Sequence, residues 1–167
     1  MPSPSPEHTR PPRLWTAEEA NRRLADLGEL LPRLRGWVVR LGEVHSELKR
    51  LGDFWGADVD AVDHVDHELK SRLDAEWGNL TRRLEEAVNG LREEGVEVKE
   101  LEQGTVDFYG TVDGEVVFLC WQRGEPEVGF YHPVSGSFRD RRPLPEEARA
   151  PSPPRPRKCW RKFPRIH

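Results

Sequence analysis

The run from Thr105 to Gln122, TVDFYGTVDGEVVFLCWQ, decides the fold class. Apolar and polar residues alternate along it with the period of two that places successive side chains on opposite faces of a strand. The alternation is interrupted once, at Asp113-Gly114, a pair that tolerates the positive φ angles of a tight hairpin turn. With Asp113-Gly114 as a two-residue loop, Phe108 faces Leu119 and Val106 faces Trp121. Two further runs have strand character: VEVKEL (Val96 to Leu101) before it, and EVGFYH (Glu127 to His132) after it. If Gly124-Glu125 is a second two-residue loop, Leu119 faces Phe130 and Trp121 faces Val128. Val106, Phe108, Val117, Leu119, Trp121, Val128 and Phe130 then share an inner face, and Asp107, Tyr109, Phe118, Cys120, Gln122, Glu127 and Tyr131 share the outer one. This register sends His132 to the face opposite Cys120.

Upstream of Gly95 the period is 3.6. Thr16, followed three residues later by Glu19, is a capping box, and Trp15 is placed to act as its hydrophobic staple. Leu24, Leu27, Leu31, Leu34, Val38, Leu41, Val44 and Leu48 then recur as one helical stripe, which continues past Pro32 and so predicts a kink there rather than an end. Gly52 to Asp60 is expected to form the turn. A second helix is expected from Ala61 to Glu94, with Val62, Val65, Leu69, Leu73, Leu80, Leu84, Val88 and Leu91 on its stripe and Gly95 as its stop. The expected fold is therefore α+β: a long antiparallel helical hairpin over residues 16–94, followed by a three- to four-stranded antiparallel β-meander over residues 96–132. The single domain spans residues 14–144. It is flanked by a disordered Pro/Ser-rich segment, residues 1–13, and a Pro-rich basic tail, residues 145–167.

Several of these residues together resemble the domain-of-unknown-function family 2203. They are Thr16-Ala17-Glu18-Glu19-Ala20-Asn21, Gly95-Val96, Val106-Asp107-Phe108, Asp113-Gly114, and above all the block from Leu119 through Glu125-Pro126-Glu127-Val128 to Tyr131-His132, with Gly136, Phe138, Arg142, Pro143 and Leu144 beyond it. The resemblance implies a small bacterial or archaeal domain over about residues 14–144, and it carries no reaction with it. The Pro-rich ends, the aromatic pair Phe54-Trp55 and the histidines of the hairpin depart from the family pattern and inherit nothing from it.

Composition narrows the classes of function. The 167 residues are 34% charged and 35% hydrophobic, which suits helices with broad solvated faces around a thin core. No run has the length of a membrane span and no secretory signal begins the chain, so a cytoplasmic location is expected. Cys120 and Cys159 are too few for a disulfide framework. Single glycines, with no phosphate-loop spacing, argue against a nucleotide enzyme. Residues 148–167 carry seven Lys/Arg and no acid, which leaves 19 basic against 30 acidic residues in the remainder.

Three constellations could carry function. Asp107, Cys120, Glu125, Glu127 and His132 offer the thiolate, carboxylate and imidazole donors of a divalent transition-metal site, or the thiol and base of a nucleophilic enzyme. Their structural alternative is a buried thiol with acids bonded to nearby arginines. His45, Asp63, His64 and His67 near the hairpin tip form a weaker metal candidate, because at ~100° per residue they do not converge. Arg155, Arg157, Lys158, Trp160, Arg161 and Lys162 interleave cations with an aromatic ring, as segments that contact nucleic acid or another polyanion do. The leading expectation is a non-enzymatic interaction or scaffold module that forms a homo-oligomer through its hairpin, since two helices alone leave much of each stripe uncovered. A metal- or thiol-dependent enzyme and a nucleic-acid contact are the alternatives, and the protein partner is not specified.

Overall fold

A computed structural model describes residues 11–149. The capping box forms as expected: the Glu19 amide donates to Thr16 Oγ1 at 3.1 Å, and the Thr16 amide donates to Glu19 Oε2 at 2.9 Å. From it runs helix α1, Ala17–Trp55, 39 residues that continue through Pro32 and extend about 58 Å at ~1.5 Å per residue. A 3-10 turn, Gly56–Asp60, leads to helix α2, His67–Glu93. The hairpin loop is thus longer, and lies later, than the expected Gly52 to Asp60. The acid-rich stretch 58–66 prefers turn to helix, and its bonds support that choice. Trp55 Nε1 donates to Asp66 Oδ2 at 2.8 Å, and the Asp66 amide donates to His64 Nδ1 at 3.1 Å. Val62 and Val65, expected on the second stripe, therefore lie in the loop and are almost fully exposed.

After Gly95, at φ 77°, comes a five-stranded antiparallel sheet in the order β1 (Val96–Glu100), β2 (Thr105–Val112), β3 (Glu115–Gln122), β4 (Phe130–Pro133), β5 (Arg142–Pro143). The β2–β3 register is the expected one, with Phe108 facing Leu119 and Val106 facing Trp121. The fifth strand was not foreseen. Neither was the short helix α3, Glu146–Arg149, in a segment expected to lack structure; the Ala148 amide reaches Pro145 O, and Arg149 Nη2 donates to Gly129 O at 3.3 Å. Arg13, also expected to lack structure, lies over the Trp15 ring at 4.0 Å and 3.5 Å from Glu19 Oε1; residues 1–10 and 150–167 lie outside the described residues.

The inner sheet face closes on one half of the hairpin. Val96, Val106, Phe108, Val117, Leu119 and Trp121 share a core with Ala17, Ala20, Leu27, Leu31 and Leu34 of α1 and Leu91 of α2. Trp15 is more than a staple. Its amide donates to Tyr109 O at 2.7 Å, its indole Nε1 donates to Glu94 O at 2.7 Å, and its ring meets Phe108 edge-on at 5.3 Å. Gly110 makes this strap possible, because a Cβ there would lie 2.7 Å from Leu119 Cγ and 2.9 Å from Trp15 O. Trp37 is the last α1 residue packed against this core, and beyond it the sheet ends. Val44, Val59, Leu73 and Leu80 are buried, yet they are not part of that core and form only a thin seam between the two helices.

Two glycine substitutions separate packing from propensity. Gly110→Ala is expected to lower the unfolding free energy by about 1–3 kcal/mol through overpacking. Gly42→Ala, where a Cβ meets nothing within 4 Å on α1, is expected to raise it by about 0.5–1 kcal/mol. Urea unfolding followed by circular dichroism measures both.

Candidate functional site

The outer face of the sheet holds buried polar groups. Asp107 on β2 and Cys120 on β3 are directly opposed, as the hairpin turn requires. His132 on β4 joins them, contrary to expectation. The observed pairs are Phe118 with His132, Leu119 with Tyr131 and Cys120 with Phe130, one residue out of step with the predicted Leu119–Phe130 pairing. A one-residue shift turns every side chain of a strand over. Tyr131 accordingly packs against the inner core, whereas Phe130 and His132 lie on the outer face with Cys120.

The shift has a local cause. The β3–β4 connection is a seven-residue loop, 123–129, and not a two-residue turn at Gly124-Glu125. The Gln122 amide donates to Glu125 Oε2 at 2.8 Å, and Trp121 Nε1 donates to Glu125 O at 3.0 Å, so Glu125 folds the chain back on itself. The Val128 amide then donates to Asn21 Oδ1 of α1 at 2.7 Å, which buries Val128 as a loop residue rather than a strand residue. Pairing starts only at Phe130.

Asp107, Cys120 and His132 are 1%, 0% and 2% exposed, and one donor atom from each lies within 4.8 Å of the others. His132 Nε2 is 3.0 Å from Asp107 Oδ2, and His132 Nδ1 is 2.9 Å from Pro133 O. A carbonyl only accepts, so Nδ1 carries a hydrogen, and Nε2 shares a proton with Asp107 Oδ2. Burial raises the Asp107 pKa, opposed by the Cys120 thiol, His132 and Lys99. One proton held between Oδ2 and Nε2 satisfies the pair. Asp107 Oδ1 is buried and has no hydrogen-bond partner. Burial first, and then the Asp107 charge, push the Cys120 thiol well above the ordinary thiol range.

Aromatic rings wall the group. Phe118 lies 5.5 Å from the His132 ring and 4.6 Å from Tyr109, with Lys99 Nζ above its face at 4.3 Å. Arg141 contacts the rings of Phe130 and Phe138 at 4.4 and 4.0 Å and donates to Glu125 Oε1 at 2.7 Å. Sequence reading passed over Arg141 and Lys99. Lys99 was recoverable from the alternation of β1, but Arg141 arrives from an irregular segment with no periodic signal.

Of the five residues expected here, three converge. Glu125 is committed to the loop and to Arg141, and Glu127 is exposed, with an oxygen 3.7 Å from Arg149. The hairpin histidines do not converge. His45 sits 5.7 Å from the Trp77 ring, His64 packs on Trp55 at 4.7 Å, His67 reaches only Ser71 at 3.5 Å, and Asp63 is exposed. Among the described residues, Asp107, Cys120 and His132 form the one group with metal-binding spacing. The basic residues Arg155, Arg157, Lys158, Trp160, Arg161 and Lys162 lie outside the described residues. No described helix is long and apolar enough to cross a membrane.

A family model described as "Uncharacterized conserved protein (DUF2203)" matches residues 13–144. No curated protein and no solved structure matches the chain.

The raised Asp107 pKa has a definite sign for stability. Its favourable contribution is complete below the unfolded carboxyl value and is lost as pH rises through the folded one. Asp107→Asn keeps a hydrogen-bonding side chain beside Nε2 and removes the carboxyl titration. With chelator present, denaturant unfolding between pH 4 and pH 8 is expected to show the wild type losing stability relative to Asp107→Asn as pH rises.

Proposed function

The chain belongs to the DUF2203 family of uncharacterized conserved proteins, and from that premise we propose that it is a non-enzymatic interaction module that self-associates through the distal half of its helical hairpin. The observation that carries this reading is a stripe that outruns its cover. Ala20, Leu24, Leu27, Leu31, Leu34, Val38, Leu41, His45 and Leu48 alternate in steps of four and three along α1, the spacing of a helix seam built for a partner. The sheet core takes this stripe only as far as Leu34. On α2 the matching positions Leu84, Ala87 and Leu91 adjoin that core, while Trp77 and Leu69 are each 38% exposed.

One flank of the distal seam is closed by charge. Arg40 donates to both carboxylate oxygens of Glu76, at 2.6 and 2.9 Å. The other flank carries Val38, Leu41, His45, Leu48 and Trp77, in line with the residues that meet the sheet lower down. A second copy offers the same stripe, and two hairpins related by a two-fold axis form a four-helix arrangement that covers both. A thiol-dependent enzyme is less well supported. The Cys120 thiol is buried and held protonated, the opposite of an activated nucleophile.

Sedimentation velocity over a wide concentration range tests the reading. The expected result is a dimer that Trp77→Glu dissociates, with the far-ultraviolet spectrum unchanged and binding weakened by about 2 kcal/mol or more, roughly thirtyfold in Kd. A wild-type protein that remains monomeric at the highest concentration overturns it.

A further inference from the structure

We infer that Asp107, Cys120 and His132 form a binding site for a late first-row divalent transition metal of the Zn²⁺ class, on the outer face of the sheet and away from the distal seam of the hairpin. The donor atoms already lie within 4.8 Å of one another, with Nε2 and Oδ2 3.0 Å apart. Metal bonds of about 2.0–2.3 Å at tetrahedral angles set donors roughly 3.3–3.6 Å apart. Small side-chain rotations reach that spacing, and the three neighbouring strands hold the backbones fixed.

Three features besides proximity point to a metal. Asp107 Oδ1 is buried without a hydrogen-bond partner, an unsatisfied acceptor of the kind a cation takes up. His132 gives its Nδ1 hydrogen to Pro133 O at 2.9 Å, the outer-shell bond that sets the tautomer and aims Nε2 at an ion. A divalent ion with one thiolate and one carboxylate is neutral overall, which suits donors that are almost wholly buried. The donor set also chooses the metal: sulfur and imidazole favour zinc, cobalt or nickel over magnesium or calcium. Three protein ligands leave a tetrahedral ion one further position, for Oδ1 or water.

Binding conserves charge and atoms simply. The ion displaces the proton held between Asp107 and His132 and the proton of the Cys120 thiol, and both leave to solvent.

The test uses the full chain, purified without a metal-affinity tag, freed of metal and titrated with Co²⁺. One equivalent is expected to bind per chain, with a thiolate-to-cobalt charge-transfer band that Zn²⁺ abolishes on displacement. Cys120→Ser is expected to lose the band while Cys159→Ser keeps it. His132→Ala is expected to weaken binding by more than about a hundredfold, beyond the loss of an outer-shell contact. If a variant fails to fold, X-ray absorption on the wild-type zinc form decides, with one sulfur among nitrogen and oxygen neighbours as the supporting result. No stoichiometric metal, a band that follows Cys159, or a shell without sulfur overturns the inference. The outcome does not depend on oligomeric state.

Discussion

The pairing of Cys120 with Phe130 across β3 and β4 decides what the outer face of this protein is. Side chains alternate along a regular strand, and β4 pairs without a bulge, so a single pair sets the face of every residue in it. In this register His132 stands beside Asp107 and Cys120, and Tyr131 turns inward to the core. The neighbouring register would place an imidazole among leucines and leave a carboxylate and a thiol without it. Glu125 enforces the choice by folding the loop with its side chain and its carbonyl, and Asn21 anchors the far end of that loop to α1. The candidate metal site thus depends on a hydrogen bond that a loop amide, Val128, donates to a helix side chain, Asn21, neither of them a ligand.

The same α1 helix divides the molecule into two physical regimes. Up to Leu34 its stripe is part of a core with three contributors: the inner sheet face, α2 and the Trp15 strap. Past that point only α2 faces it, and a two-helix seam cannot enclose side chains as large as Trp77. Rows of ion pairs such as Arg40–Glu76 and Lys70–Asp74 keep the rest of the distal surface soluble. They are too exposed to contribute much stability. The distal half is therefore the part of the fold with most to gain from a partner, while the sheet end is complete within one chain.

Much of this was legible in the residues. The Thr16–Glu19 box, the stripe running through Pro32, the stop at Gly95 and the Asp113-Gly114 turn are local signals, each acting within a few residues, and each holds in the structure. The errors fall where local signals compete or end. In residues 58–66 Val59, Val62 and Val65 recur every third position between acids, which imitates a helical stripe, yet Asp66 and His64 satisfy turn bonds instead. Gly124-Glu125 imitates a tight turn, but the Glu125 side chain has a better use.

By itself the sequence determined the helical hairpin, the change of period at Gly95, the β2–β3 register and hence the Asp107–Cys120 pair, because all of these follow from contacts close along the chain. Only the tertiary structure decided that His132 completes the group, that Val128 is buried as a loop residue, and that the sheet core reaches along α1 no further than Trp37. Each of those rests on contacts between distant segments, such as Asn21 with Val128 and Asp107 with His132. Their geometry exists only once the sheet has docked on the hairpin.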